Sequence, residues 1–145
     1  MDLFAYGSLM VAEVMRGVCG HAGGSTPAVL HGYRRRRLVH EVYPAILLDS
    51  AEYVEGVVYQ GLSGSELAAL DAFEGVAYRR TRVEVTVGRV SRAVETYVLA
   101  PGCEHLLGEE DWSLQAFIRE GLPAFVGSYP GFGAVADREA FDDAG

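Results

Sequence analysis

Apolar and polar positions fall into short blocks along this chain, and the blocks predict strands more often than helices. Asp2 to Tyr6 is an apolar run that ends in Gly7-Ser8, the pattern of a buried first strand. Met10 to Val18 has helical spacing and stops before Gly20. Pro27 to Val39 alternates loosely, and Tyr43 to Asp49 reads as another apolar strand. Glu52 to Gln60 carries Val54, Val57, Val58 and Tyr59, apolar on both faces, as in a strand packed on two sides.

The strongest local signal follows. Ser63-Gly64-Ser65-Glu66 fits a capping box, in which the Ser hydroxyl and the Glu carboxylate satisfy orphan amides at a helix start. The predicted helix runs through Leu67 to Phe73 and stops near Gly75. Tyr78 to Val87 and Ala93 to Ala100, separated by Gly88 to Arg92, form a hairpin pattern. Asp111 to Leu122 reads as an amphipathic helix anchored by Trp112, Phe117 and Ile118, with Pro123 after it. The tail from Gly127 holds four glycines and is expected to be mobile from about residue 131. Many short strands with few helices predict an α+β fold on a mixed or antiparallel sheet; periodicity leaves open whether the sheet closes into a barrel.

Composition narrows the function classes. The chain has 145 residues, half of them hydrophobic, with no repeat or linker, and is expected to form one domain over 1–145. Cys19 and Cys103 read as two reduced thiols of a cytoplasmic protein. No apolar run approaches the roughly 20 residues that span a bilayer. A net charge of -8 argues against nucleic acid or an anionic membrane as partner. Arg34 to Arg37 run against that trend, but every basic residue here is Arg, and on a strand the four split between two faces. A solvated strand face is the leading reading. A contact with a substrate carboxylate is the second.

Two segments could carry chemistry. Leu67, Leu70 and Glu74 lie on nearly one helix face, because seven residues make about two turns. If the leucines face the core, Glu74 points inward, loses hydration and becomes a stronger base. The alternative is a helix that ends a turn earlier and leaves Glu74 on the surface. Tyr6-Gly7-Ser8-Leu9 hands a strand over to a helix, which leaves backbone N–H groups able to bind a carboxylate or oxyanion. Read alone, Ser8 is better explained as a cap of the following helix than as part of a site. His21, His31, His40 and His105 lack metal-site spacing, neither cysteine lies in a C-x-x-C pair, and no G-x-S-x-G elbow or phosphate loop is present. No metal or cofactor is called for.

Taken in order, several segments resemble the γ-glutamylcyclotransferase-like superfamily, in particular its compact avirulence-induced-gene branch. They are Phe4-Ala5-Tyr6-Gly7-Ser8-Leu9-Met10, Tyr43-Pro44-Ala45-Ile46, Val54 to Tyr59, Leu70 to Arg80, and the Tyr97-Val98 pair. The resemblance covers roughly residues 2 to 100. It implies a small mixed β-barrel of about five to seven strands flanked by short α-helices. It also implies that Tyr6, Gly7, Ser8, Leu9 and Met10 bind substrate largely through backbone amides. Glu74 would be the catalytic acid/base, with Tyr78 and Tyr97 as further substrate contacts.

The implied reaction turns a γ-glutamyl amino acid or amine into 5-oxoproline and a free amine. The substrate's own α-amino group is the nucleophile, so the implied partner is a small γ-glutamyl compound and no cofactor is needed. Two other readings use the same fold: a barrel that binds a small metabolite without turnover, and a protein-interaction module. Oligomeric state is not legible in this sequence.

Overall fold

The computed structural model describes residues 1–21 and 23–121. Its shortest strand, β1 (Leu3–Ala5), is buried along its whole length. Leu3 and Ala5 pack towards the helices, while Phe4, and Tyr6 just beyond the strand, join the barrel interior. Alternate side chains leave a strand on opposite faces. Both faces here are covered, which is why no polar position interrupts the first apolar run.

β1 pairs antiparallel with β3 (Pro44–Tyr59) through Phe4↔Val58, and parallel with β5 (Val90–Leu99) through Leu3↔Glu95. β2 (Ser25–Arg37) and β4 (Tyr78–Val87) complete a closed barrel in the order β1-β3-β2-β4-β5. The expected mixed barrel with short helices is therefore present, with five strands. All five elements feed its interior, which includes Phe4, Leu30, Val58, Val85 and Val94. A second apolar layer lies outside, where α1 (Ala12–Cys19) and α2 (Gly64–Glu74) pack Val14, Met15, Leu67 and Leu70 against Leu3, Tyr59 and Tyr97.

Some elements differ from the pattern. The two expected strands Tyr43–Asp49 and Glu52–Gln60 are one strand, β3. The polar stretch between them is not a turn. Residues 49–52 stand opposite Gly32, between the pairs Tyr33↔Leu48 and His31↔Tyr53, as a bulge in the ladder. Gly32 takes a φ of 88°, which lets β2 accommodate the offset without ending. The first helix starts at Ala12 rather than Met10, after a 3-10 turn over Ser8–Met10, and closes on Gly20 at φ 79°. The β4–β5 hairpin turns on Gly88 and Arg89 alone.

In place of a helix over 111–122 there is a short α3 (Leu114–Ala116) that runs into a wider turn, Phe117–Gly121. Trp112 and Phe117 are the buried anchors, with ring centroids 5.8 Å apart. Ile118, expected as a third, is 48% exposed. Neighbouring helical residues point about 100° apart, so seating Phe117 turns Ile118 outward. Leu122, Pro123 and the glycine-rich tail lie outside the described residues. Among the described residues no helix is long and apolar enough to cross a membrane, and Cys19 and Cys103 form no disulfide.

Candidate active site

Two local signals place Glu74 at the last position of α2. Ser63 Oγ accepts from the Glu66 amide at 3.1 Å and Glu66 Oε1 accepts from the Ser63 amide at 2.8 Å, so the helix starts where the capping box predicts. Gly75, at φ 80°, ends it and donates its amide to the Asp71 carbonyl. With the start fixed, the phase is fixed too. Leu67 and Leu70 are buried against the barrel, and Glu74, two turns after Leu67, enters a cavity of about 210 Å³ at the barrel end.

The cavity gathers Tyr6, Gly7, Ser8, Leu9, Tyr78 and Tyr97 around Glu74. Met10 does not line it. That side chain is partly buried against the apolar layer under α1 and α2 instead. Glu74 is half-buried, and its carboxylate makes no hydrogen bond or ion pair with a described residue. Burial pushes the carboxyl up to about 8, and the negative charge of Asp71 adds to the rise. Glu74 and Glu41 are the only charged side chains lining the cavity among the described residues; no Arg or His reaches it.

The loop from Tyr6 to Leu9 shows a marked asymmetry between its acceptors and its donors. Every carbonyl in it is occupied. Arg35 Nη1 donates to the Tyr6 carbonyl at 2.8 Å, the Met10 amide to Gly7 at 2.9 Å, and the Val11 amide to Ser8 at 3.1 Å. The Tyr59 hydroxyl donates to the Leu9 carbonyl at 2.6 Å. The first bonded amide of the turn is that of Met10, so the Ser8 and Leu9 amides have no acceptor within it. Ser8 does not cap α1: Val11 holds the cap position, without a side-chain bond. What remains at the cavity wall is a pair of N–H groups on a backbone tied down from behind. Such a wall suits an anionic oxygen.

Gly7 also lets the wall form. A Cβ there would come within 2.9 Å of the Pro44 ring, and Pro44 is itself held by the Tyr78 hydroxyl, which donates to its carbonyl at 2.7 Å. Three of the four tyrosines that line the cavity, Tyr6, Tyr78 and Tyr97, spend their hydroxyls on the protein. Tyr6 donates to the Tyr97 carbonyl at 2.6 Å, and Tyr97 donates to Asp71 Oδ1 at 2.6 Å. Burial first, and then the negative charge of Glu74, keep Tyr6 protonated; burial and the bond to Asp71 do the same for Tyr97. Their rings, rather than their hydroxyls, are what the cavity offers.

Pattern reading gave Arg35, Pro44 and Tyr59 no such role, although Pro44 and Tyr59 stand within resembling segments, because each works through a backbone carbonyl or a ring contact that residue type does not reveal. The arginine run divides as strand geometry requires, but it is not a simple solvated face. Arg36 makes a two-point pair with Glu52 at 2.8 and 3.1 Å, and Arg34 lies 3.7 Å from Asp49. Arg35, on the other face, sits 5.2 Å over the Trp112 ring and bonds the Tyr6 and Glu55 carbonyls. None of the four lines the cavity.

Comparison with known proteins agrees with this fold. The sequence model of a family described as "Gamma-glutamyl cyclotransferase, AIG2-like" matches residues 3–114. The chain is 44% identical over 99 residues to AIG2-like protein C of Arabidopsis thaliana, a match covering 67% of this chain and 58% of that relative. It is 33% identical over 128 residues to Protein AIG2 B of the same plant, covering 86% and 75%. The chain thus spans under two thirds of the length of the first of these relatives. A solution structure from Arabidopsis thaliana superposes with a TM-score of 0.68 at 29% identity, covering 97% of this chain and 85% of that one. A yeast γ-glutamyl cyclotransferase specific to glutathione shares the fold, with a TM-score of 0.60 at 16% identity over 90% and 80% of the two chains.

Proposed function

The chain belongs to the γ-glutamyl cyclotransferase, AIG2-like family, and we propose that it converts a γ-glutamyl amino acid or γ-glutamyl amine into 5-oxoproline, releasing the amine. The observation that carries this reading is the meeting of Glu74 with the Gly7–Leu9 backbone in one small cavity. About 210 Å³ is below the roughly 300–1,000 Å³ of pockets for drug-sized ligands and suits one short polar chain.

In this reading the substrate folds back on itself. Its α-amino nitrogen attacks the γ-carbonyl carbon, forming the ring C–N bond; the bond from that carbon to the leaving nitrogen then breaks. Glu74 takes the proton from the α-ammonium and later delivers one to the departing nitrogen, so the protein ends as it began. A carboxyl raised to about 8 is a far better acceptor for an ammonium proton than an ordinary carboxylate, which would be too weak a base. The Ser8 and Leu9 amides receive a substrate oxygen that carries negative charge. Holding the two ends of the substrate together supplies much of the acceleration, because the reaction is intramolecular once the chain is folded.

The test is 5-oxoproline release from a panel of γ-glutamyl amino acids and amines, by wild type and Glu74→Gln. Loss of a general acid/base lowers the rate about 10²–10⁴-fold. Saturable binding without 5-oxoproline from any member of the panel would replace this reading with that of a metabolite-binding barrel. Turnover unaffected by the substitution would remove Glu74 from the mechanism.

A further inference from the structure

Asp71 lies one helical turn before Glu74 but outside the cavity. Its carboxylate opens on a separate outer depression, shared with Gly75, Arg80 and Glu95, whose wall with the cavity is made by Tyr78 and Tyr97. Asp71 cannot touch a bound substrate from there, yet it is held firmly. Tyr97, whose ring lines the cavity, donates its hydroxyl to Asp71 Oδ1 at 2.6 Å, and Arg80 Nε reaches the same oxygen at 3.1 Å. Arg80 is in turn shared with Glu95 at 3.5 Å. A negative charge fixed one helical turn before Glu74 disfavours ionisation of the Glu74 carboxyl, second to burial.

We propose that Asp71 is a positioning residue for the cyclisation: clamped behind the cavity wall by Tyr97 and Arg80, it fixes a second negative charge beside Glu74 and draws the substrate's α-ammonium to that wall. The proposal rests on the cyclotransferase reading above. Residues three apart on a helix are neighbours, so the two carboxylates act on each other directly. The other groups that face Glu74 cannot take this part. Tyr6 and Tyr97 stay protonated, Tyr78 gives its hydroxyl to Pro44, and Glu41, though it lines the cavity, is exposed to solvent. Arg35 acts from behind Tyr6 and does not line the cavity. Asp71 supplies charge without offering a competing base, because Arg80 and Tyr97 already occupy it. The proton moves from the ammonium nitrogen to a Glu74 oxygen, leaving the neutral amine that attacks; no further reactant enters.

Asp71→Asn removes the charge and keeps an acceptor for Tyr97. The carboxyl of Glu74 is followed by ¹³C NMR in the substrate-free protein, located by its absence in Glu74→Gln, alongside the pH profile of 5-oxoproline release. Its midpoint is expected to fall by about one pH unit in Asp71→Asn, while burial, the larger cause, keeps it above the ordinary carboxylate range. The acid limb of the activity profile moves down with it, and KM for a γ-glutamyl substrate at pH 7 rises by roughly 3- to 10-fold. Arg80→Gln, which leaves Asp71 uncompensated, moves the midpoint the other way, and it answers the question if Asp71→Asn does not fold. A Glu74 midpoint unmoved by both substitutions overturns the proposal, even if the enzyme turns over substrate. A midpoint that moves in a protein with no turnover leaves the charge clamp standing and sinks the cyclotransferase reading instead.

Discussion

Arg35 donates from a single guanidinium nitrogen to the carbonyls of both Tyr6, at 2.8 Å, and Glu55, at 2.9 Å. One side chain on β2 therefore ties the exit of β1 to β3 while lying across the Trp112 ring. Burial lowers its pKa, yet an arginine remains charged at any physiological pH, so the tie does not titrate. Lysine has neither the planar fork nor the stacking face. Arg35→Lys is expected to lower kcat/KM for γ-glutamyl substrates by about 10-fold or more, since small displacements of a positioned wall are expensive in rate. Steady-state kinetics beside a thermal melt separate the two effects: an unchanged kcat/KM with a lowered Tm would make Arg35 purely structural.

Glu74 should weaken the fold as the pH rises. Its carboxyl sits near 8 in the folded protein and near 4.3 in an unfolded chain. Below pH 4 both states hold the proton and nothing is lost. Between about 4.3 and 8 the unfolded chain releases it first, so stability falls through that window, by on the order of 3 kcal/mol at pH 7. Glu74→Gln is expected to match wild type near pH 4 and to exceed it at pH 7–8. Urea midpoints at the two ends of the window measure this. Parallel pH dependence in the two proteins would mean that the carboxyl ionises freely.

Gly7→Ala introduces a methyl group within 2.9 Å of two Pro44 ring carbons. Pro44 starts β3 and is anchored through Tyr78, so it has little room to retreat. A destabilisation of about 1–3 kcal/mol is expected, the usual range for overpacking. KM should rise more than kcat falls if the loop amides chiefly hold substrate. A fall in kcat alone would place them at the developing oxyanion instead.

The cavity rim brings Glu41 beside Val39 and Leu106, and no described Arg or His lines the cavity. A leaving group with a carboxylate close to the departing nitrogen would meet Glu41 with no cation to offset it. Glu41→Arg is expected to improve kcat/KM about 10-fold for such substrates and to worsen it for cationic ones, the swing that one charge at a partly exposed site can produce. Equal effects on both substrate types would show that the rim does not read charge.

The parts of this architecture legible in the sequence were those governed by near neighbours. Ser63 and Glu66 announce the start of α2 through bonds three residues apart, and Gly75 announces its end. Those two marks suggest an inward Glu74, and the resemblance of the Leu70 to Arg80 segment supports that phase. β3 was harder: Asp49 to Glu52 have the composition of a turn, and only their partner Gly32, across the ladder, makes them a bulge. Ile118 leaves the expected apolar face because Phe117, its neighbour, takes the inward position. Arg35 was invisible for a different reason, since carbonyls accept from any donor that arrives and leave no trace in residue type. The resemblance of the motifs, rather than periodicity, raised Tyr6 to Leu9 above an ordinary strand-to-helix turn.

β1 has only three residues, yet it closes the barrel between β3 and β5 with both of its faces covered. The Tyr6–Leu9 wall of the cavity grows directly from its end. Loosening that wall by peeling its strand away would open the ring of hydrogen bonds and expose both apolar layers together, which makes local melting here as unfavourable as unfolding the whole barrel. Amides of this strand should then exchange with solvent at the slowest rate in the protein. A ligand of this cavity would then meet a wall that holds its shape for as long as the barrel stays folded.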